Sequence, residues 1–495
     1  MDQLVSFLHA TSRIMWGPWT LGIILGSGLI LSFVTGWKHI KAKPLWENTF
    51  GAYFKKEGQK SKGDLSSFQA IVASMASCLG VGTIVGVATA IATGGPGAIF
   101  WMWLAGFLSM STKFAEMVMA VHYRKKNEKG QWIGGPMYYA EHGLKRIGKP
   151  LAVIFSLSVP IAAVGIGGMV QANAVAGVMH TTFSLPRLAT GLILVVVVGA
   201  VILGGVKKIG LVAERLIPPM AGLVILASLI GIFMNISAVP AAFGAIFGGA
   251  FTFQAGLGGF AGAGIATAMR FGIARGLFSN EAGLGSGPIV NATAKVDHPV
   301  KQGFWGTVLV FVDTHLVCTL VALIIIISGA WTQLDSAGNP FIGVPLVLEA
   351  YNSLLPGGFF GSVVISLGII LFGTTTMIGW SYYGEKGLEY FFGTKSNVPY
   401  RIFWLIPLVF GALGNITTVW AFSDVFNSFM LLPNLITLLA LSGVTAKLTK
   451  DFFAKKPYVS YYEENIQLEK GINQEQKQAN NAENQPLNNE AEETV

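Results

Sequence analysis

Apolar residues fall into long blocks along this chain, separated by short polar or basic stretches. A helix needs about 20 consecutive apolar residues to cross a bilayer core. Eleven blocks fit that reading, centred near residues 25, 80, 110, 165, 195, 225, 255, 317, 368, 410 and 435. The block near 255 is the least regular, because glycine interrupts it repeatedly. The first block, Trp16 to Val34, is too long for the core of a cleavable leader and lacks a small-x-small cleavage site, so it reads as a retained membrane helix. The stretch FIGVPLVLEAYNSLL, Phe341 to Leu355, is apolar but short and reads as an interfacial or loop helix on the outside.

The basic residues alternate from loop to loop. Lys38, Lys41, Lys43, Lys55, Lys56, Lys60 and Lys62 follow the first block, and Arg124 to Lys149 holds seven more after the third. Lys207, Lys208 and Arg215 come next, then Arg270, Arg275, Lys295 and Lys301, then Lys386, Lys395 and Arg401, then Lys447 to Lys456. The intervening loops are nearly bare: Thr93 to Gly97 and Trp331 to Gly357 carry none, and His180 to Arg187 carries one Arg. Under the positive-inside rule this predicts an external N-terminus, a cytoplasmic C-terminus and an odd number of spans. The chain turns polar after about Tyr458 and is expected to be disordered from there, since the run Gln467 to Val495 is dominated by Asn, Gln and Glu and has little to bury.

Composition agrees with a polytopic membrane protein. Of 495 residues, 52% are hydrophobic and only 12% are charged, about half the usual charged share of a soluble domain. The net charge of +8 sits in loops and forms no basic stripe interleaved with aromatics, so no nucleic-acid partner is expected. Cys78 and Cys318 both lie in apolar blocks and have neither metal nor disulfide spacing. No triad, HExxH or paired-cysteine motif stands out, which argues against an enzyme.

The densest signal is SCLGVGTIVGVATAIATGGPG, Ser77 to Gly97. Its GxGxxxG spacing is not a dinucleotide fingerprint, no strand precedes it, and no Lys-Ser/Thr follows as a phosphate loop requires. Gly82 and Gly86 form a small-xxx-small pair suited to close helix packing. Gly80 and Thr83 fit another reading, a helix unwound at mid-membrane so that freed carbonyls hold a cation and freed amides hold an anion. Such a break predicts a partner break elsewhere, and FQAGLGGFAGAGI at Phe253 to Ile265 supplies a candidate five spans later. Five is odd, so two five-span sets would be inverted relative to each other. The expected organisation is therefore 1–62 as an N-terminal helix and basic loop, 63–450 as the core with halves 63–235 and 240–450, and 451–495 as a tail.

Few polar groups lie within the blocks. Asp313, with His315 nearby, is a functional candidate by depth, or else a structural anchor. Lys113 and Glu116, three apart, read as a local pair with a snorkelling lysine near a helix end. Gln171 and Asn173 are either interhelical hydrogen-bonders or, for Gln171, a substrate contact. Thr376 and Trp380 lie four apart and share a helix face, and Thr374-Thr375-Thr376 hydroxyls suit either a small cation or their own helix.

These residues resemble the alanine/glycine:cation symporters, also called sodium:alanine symporters, over nearly the whole chain to about residue 450. The matching strings are GVATAIATGGPGAIFWMW (Gly86–Trp103), GGPMYY (Gly134–Tyr139), GGMVQAN (Gly167–Asn173), RGLFSNEAGLGS (Arg275–Ser286) and GWSYYGEKG (Gly379–Gly387). The resemblance implies an all-α integral membrane protein with eleven helices, one extra helix before a LeuT-like five-plus-five inverted repeat with broken first helices. It implies uptake of a small neutral amino acid (alanine, glycine or glutamine) with sodium, by alternating access, in a bacterial or archaeal inner membrane. Sodium is the expected coupling ion, and no cofactor is implied. Proton coupling is the alternative, with a channel or facilitator behind it. The implied substrate residues are Gly80, Val81, Gly82, Thr83, Gln171, Asn280, Thr376 and Trp380, and the implied sodium ligands are Ala76, Leu79, Thr375 and Thr376. Thr83 stands where relatives carry Asn, in GVGTI rather than GTGNI, which leads to the expectation of a single coupling ion, placed at the site using Thr375 and Thr376.

Overall fold

The computed structural model describes residues 2–55, 61–251, 264–335 and 338–465. These are overwhelmingly helical, as the apolar blocks predict. Among the described residues, six helices are long and apolar enough to cross a membrane: Gly97–His122, Gly148–Phe183, Gly205–Met234, Pro299–Ser328, Phe359–Leu413 and Ile416–Ala440. Two bent pairs, Ser6–Met15 with Pro18–Val34 and Ser67–Cys78 with Gly82–Gly94, raise that number to eight. Arg187–Ile202 and Ile236–Phe251 are apolar but shorter.

Four helices frame the centre: α1 (Ser67–Cys78), α2 (Val87–Gly94), α3 (Gly97–His122) and α4 (Val170–Phe183). They are completed by α5 (Ile265–Asn280), α6 (Gly287–Asn291), α7 (Phe359–Phe392) and α8 (Ile416–Ala440). α1 starts on a capping box, in which Ser66 and Gln69 satisfy each other's backbone amides. α1 and α2 meet at a 51° bend, so the expected discontinuous helix is present. The connection resumes through a π-wound turn, Gly82–Gly86. Similar turns occur at Ala163–Met169 and Phe311–Cys318. Such bulges leave backbone groups outside the regular ladder and recur at functional sites.

A second break lies at residues 281–286, between α5 and α6. Glu281, Gly283 and Gly285 all have positive φ there (55°, 89° and 78°), which stops the helix. The break expected at Phe253 to Ile265 falls on residues 252–263, which lie outside the described residues. α5 packs against α2, and α6 packs against α1, so the two broken helices run antiparallel. A short parallel ladder, Leu65↔Ala294 and Ser66↔Lys295, ties the start of one to the segment after the other.

Several other expectations change. Arg270 and Arg275 lie within α5, not in a basic loop, because the helix continues to Asn280. Val344–Leu354 is a helix, but Tyr351 and Leu346 are buried and Tyr351 bonds Ser228, so it packs into the bundle and does not rest on lipid. Gly86 has no neighbour where a Cβ would point, so close packing does not demand glycine there. The tail stays docked beyond Tyr458. The Tyr458 hydroxyl lies 3.1 Å from His122, Tyr461 packs tilted against Tyr123, Tyr462 meets Trp132 edge-to-face, and Glu463 pairs with Lys62. Three tyrosines give this segment the apolar area that its polar neighbours lack. The run Gln467 to Val495 lies outside the described residues.

Candidate functional site

The first break is built from two backbone turns. Leu79 N still donates to Met75 O (2.7 Å), but Gly80 N donates to Cys78 O (2.7 Å). Leu79 has φ −68° and ψ 70°, which makes this an inverse γ-turn. The regular partners of Ala76 O and Val81 N are thereby lost. Thr376 Oγ1 takes the first, donating to Ala76 O at 3.0 Å. Gln171 Oε1 takes the second, accepting from Val81 N at 2.9 Å, and its amide is oriented by a bond to Ile166 O (2.9 Å). A Cβ on Gly80 would stand 2.6 Å from Thr376 Oγ1 and 3.1 Å from Gln171 Oε1, so only glycine fits between them.

Gly80, Val81, Gln171 and Thr376 thus meet at one buried point, while Gly82 faces Phe278 and Thr83 faces another cluster. Thr83 Oγ1 bonds Asp313 Oδ1 and Ser279 Oγ, each at 2.9 Å. Asn280 faces the second break: its Oδ1 accepts from Ala282 N (2.9 Å), and its Nδ2 donates to Thr314 Oγ1 (3.0 Å). Trp380 Nε1 donates to Glu281 Oε1 at 2.7 Å. Of the expected sodium ligands, Ala76 and Thr376 touch. Thr375 does not join them; its hydroxyl donates to Leu371 O and Phe372 O of its own helix and faces Met220 Sδ at 3.7 Å. Asn173 bonds Gly411 O and Gly414 O, which is interhelical support and not a pocket contact.

The second break rests on a charged cluster that the sequence reading placed at a helix end. Lys113 and Glu116 are fully buried, 3.5 Å apart. Glu116 Oε1 accepts from Gly283 N (2.9 Å), Gly285 N (3.0 Å) and Asn434 Nδ2 (2.7 Å). Amides of alternate residues in this geometry form an anion-holding concavity, and here a side-chain carboxylate fills it. Lys113 Nζ donates to Glu281 O (3.0 Å), and Glu281 Oε2 accepts from Ser286 Oγ (2.5 Å). Glu281, Ser279 and the paired glycines sit in SNEAGLGS, a string whose Gly-x-Gly after an acid was the legible sign of such a turn. The distant contributions of Lys113 and Glu116 left no local sign.

Both ends of the site are closed. On the α2 side, Phe278 covers Gly82, whose Cβ would stand 2.7 Å from the ring. Trp420 stacks on Phe278 (4.7 Å), and Arg275, bonded to Asp424 at 2.9 Å, lies over Trp420. This layer floors a chamber of about 500 Å³ that also reaches Trp16, Thr89 and Gly343. On the α1 side, Trp380 and Glu281 close the pocket, with Tyr383 against Trp380 and bonded to Ser77.

Two antiparallel broken helices, meeting inside an apolar bundle with unwound backbone covered by side chains, define a polytopic membrane transporter. The family model for the sodium:alanine symporters matches residues 1–464, and the chain belongs to that family. It is 42% identical over 452 residues to the sodium/alanine symporter AgcS of Methanococcus maripaludis, covering 91% of this chain and 97% of that protein. It is 36% identical over 462 residues to the probable sodium/glutamine symporter GlnT of Bacillus subtilis (92% of each). It is 34% identical over 451 residues to the amino-acid carrier protein AlsT of the same organism (90% and 92%). Its fold resembles the solved manganese transporter of Eremococcus coleocola, with TM-score 0.50 and 14% identity over 77% of this chain and 83% of that one.

Proposed function

We propose that the chain imports a small neutral amino acid, alanine or glycine and also glutamine, together with sodium, by alternating access. The observation that carries this reading is the pair of backbone groups freed at Gly80, an amide at Val81 and a carbonyl at Ala76, each held by a reorientable side chain. A zwitterionic amino acid offers a carboxylate for such amides and an ammonium for such carbonyls. Gln171 and Thr376 would yield these backbone groups to the substrate, Trp380 would wall its side chain, and Gly80, Gly82, Thr83 and Asn280 would shape the pocket.

The two closed layers suit alternating access. Opening the Phe278–Trp420–Arg275 layer admits substrate, and parting Trp380 from Glu281 releases it to the other side. Eleven spans, an extra first helix before two inverted sets at 63–235 and 240–450, an external N-terminus and a bacterial or archaeal inner membrane complete the reading. One ion is moved per amino acid. Uptake of labelled alanine, glycine and glutamine into proteoliposomes, with and without an inward sodium gradient, tests it. Uptake indifferent to sodium overturns sodium coupling, and reversal potentials reporting two ions overturn the stoichiometry.

A further inference from the structure

The chamber beyond the Phe278–Trp420 layer carries an unbalanced charge. Among the described residues that line it, the charged ones are Arg13, Arg270, Arg275 and Asp424, three cations against one anion. Arg275 is paired with Asp424 at 2.9 Å. Arg13 and Arg270 form no ion pair among the described residues. Arg275 is 7% exposed, and its covered Nε has no hydrogen-bond partner among the described residues. The chamber therefore holds more donors and more positive charge than its own acid satisfies.

The position of these arginines runs against the topology. The start of α5 adjoins the turn after α2, where a Cβ on Gly94 would stand 3.1 Å from Ala268 Cα and 3.5 Å from Phe271 Cβ. On the topology proposed above, this side faces out, as does the N-terminus. Lys and Arg concentrate on the opposite, cytoplasmic side of a membrane protein. Orientation thus gives no reason for Arg13 and Arg270, and neither braces the fold through an ion pair. A basic group facing a cavity in such a bundle marks a substrate or ion path. The first helix, Ser6–Met15, carries Arg13 to the chamber. Leu8 packs with Ala421 and Val425 of α8, and Trp16 Nε1 donates to Asp424 O at 2.9 Å. The helix that precedes the expected repeats is thus fastened to the residue that holds Arg275.

Size and lining narrow the occupant. A chamber of about 500 Å³ suits a small organic molecule and is far larger than an inorganic anion fills. Guanidinium forks match carboxylates. Asp424 offers an acid to an ammonium, and Phe271, Trp420, Ile342 and Ile416 give apolar walls. We infer that the chamber is a second, outer site that takes the amino acid as a zwitterion, with Arg13 and Arg270 holding its carboxylate and Asp424 facing its ammonium. This rests on the amino-acid reading above. The ammonium competes with Arg275 for Asp424, so arrival of the amino acid loosens the pair that closes the layer below, and the freed guanidinium becomes a further donor to the carboxylate.

Thr417 lines the chamber and is exposed, while the native Cys78 and Cys318 are buried. Thr417→Cys in the full chain in nanodiscs therefore gives a selective target for a polar maleimide. A Gly80→Ala background removes the central site from the measurement. Alanine is expected to slow the alkylation, whereas alaninamide, which lacks the carboxylate, and sodium chloride at equal concentration are not. Arg13→Gln and Arg270→Gln are each expected to raise the protecting alanine concentration about tenfold, as losing a charged hydrogen bond does, with Arg270→Lys retaining part of the protection. Alkylation indifferent to alanine overturns the site, as does equal protection by alaninamide or undiminished protection in both arginine variants. Equal protection by chloride also overturns it, leaving an inorganic-anion site only. Should Gly80→Ala fail to fold, uptake kinetics decide: Arg270→Gln is expected to raise half-saturating alanine by a larger factor than it lowers the maximal rate, and an unchanged half-saturation overturns the site. Alanine uptake without chamber protection removes this site and leaves the transport reading; protection without any uptake does the reverse.

Discussion

Thr376 Oγ1 donates to the carbonyl oxygen of Ala76 across 3.0 Å, joining two residues 300 positions apart. In an unbroken helix that carbonyl would accept from Gly80 N; here Gly80 turns back to Cys78. The late helix α7 thus supplies the hydrogen bond that the early helix gives up.

Thr376→Val removes the donor and leaves a buried carbonyl unpaired, a penalty of about 1–3 kcal/mol. Alanine uptake is expected to fall about tenfold or more, with Thr376→Ser restoring most of it. Initial uptake rates of both variants in proteoliposomes check this; equal rates would reject a role for the hydroxyl.

Gly80→Ala places a methyl 2.6 Å from Thr376 Oγ1 and 3.1 Å from Gln171 Oε1. Both side chains are tied to the break, so neither can retreat without losing its bond. The variant is expected to elute as a folded protein yet lose substrate binding. Scintillation-proximity binding of labelled alanine is the measurement, and retained affinity would contradict the close approach.

Glu116→Gln strips the charge that faces Lys113 and fills the Gly283–Gly285 amides. Breaking one partner of a buried pair costs about 3–5 kcal/mol. A marked drop in melting temperature is expected, partly reversed by adding Lys113→Met. Thermal unfolding in nanodiscs would show it, and an unshifted midpoint in the single variant would count against the cluster's structural role.

Arg275 and Asp424 pair above Phe278 and Trp420. Each of Arg275→Ala and Asp424→Ala is expected to lower uptake, and the double variant to lower it by less than the sum, since paired groups couple by about 0.5–3 kcal/mol. Strict additivity in that cycle would mean the two do not act as one closing layer.

Much of the architecture was legible in periodicity and composition. Apolar blocks near 20 residues dictate membrane helices because lipid leaves backbone groups no other partner. Clustered Gly80 and Gly82 within such a block marked the first break, since unwinding there is affordable only where side chains or ligands cover the backbone. Gln171, Thr376, Trp380 and Asp313 were visible as polar or large groups in apolar surroundings. The tertiary structure decided what each of them does. Thr375 and Thr376 are neighbours in sequence, yet one hydroxyl serves its own helix and the other crosses to Ala76, because helical rotation points them about 100° apart. Lys113 and Glu116 look like a surface pair by spacing, and only the packing of α5 and α6 over α3 buries them and assigns them to the second break. That break escaped the apolar pattern because its amides are satisfied by a carboxylate 167 positions away. Local sequence sets which backbone groups are freed, while long-range packing sets which side chains reach them.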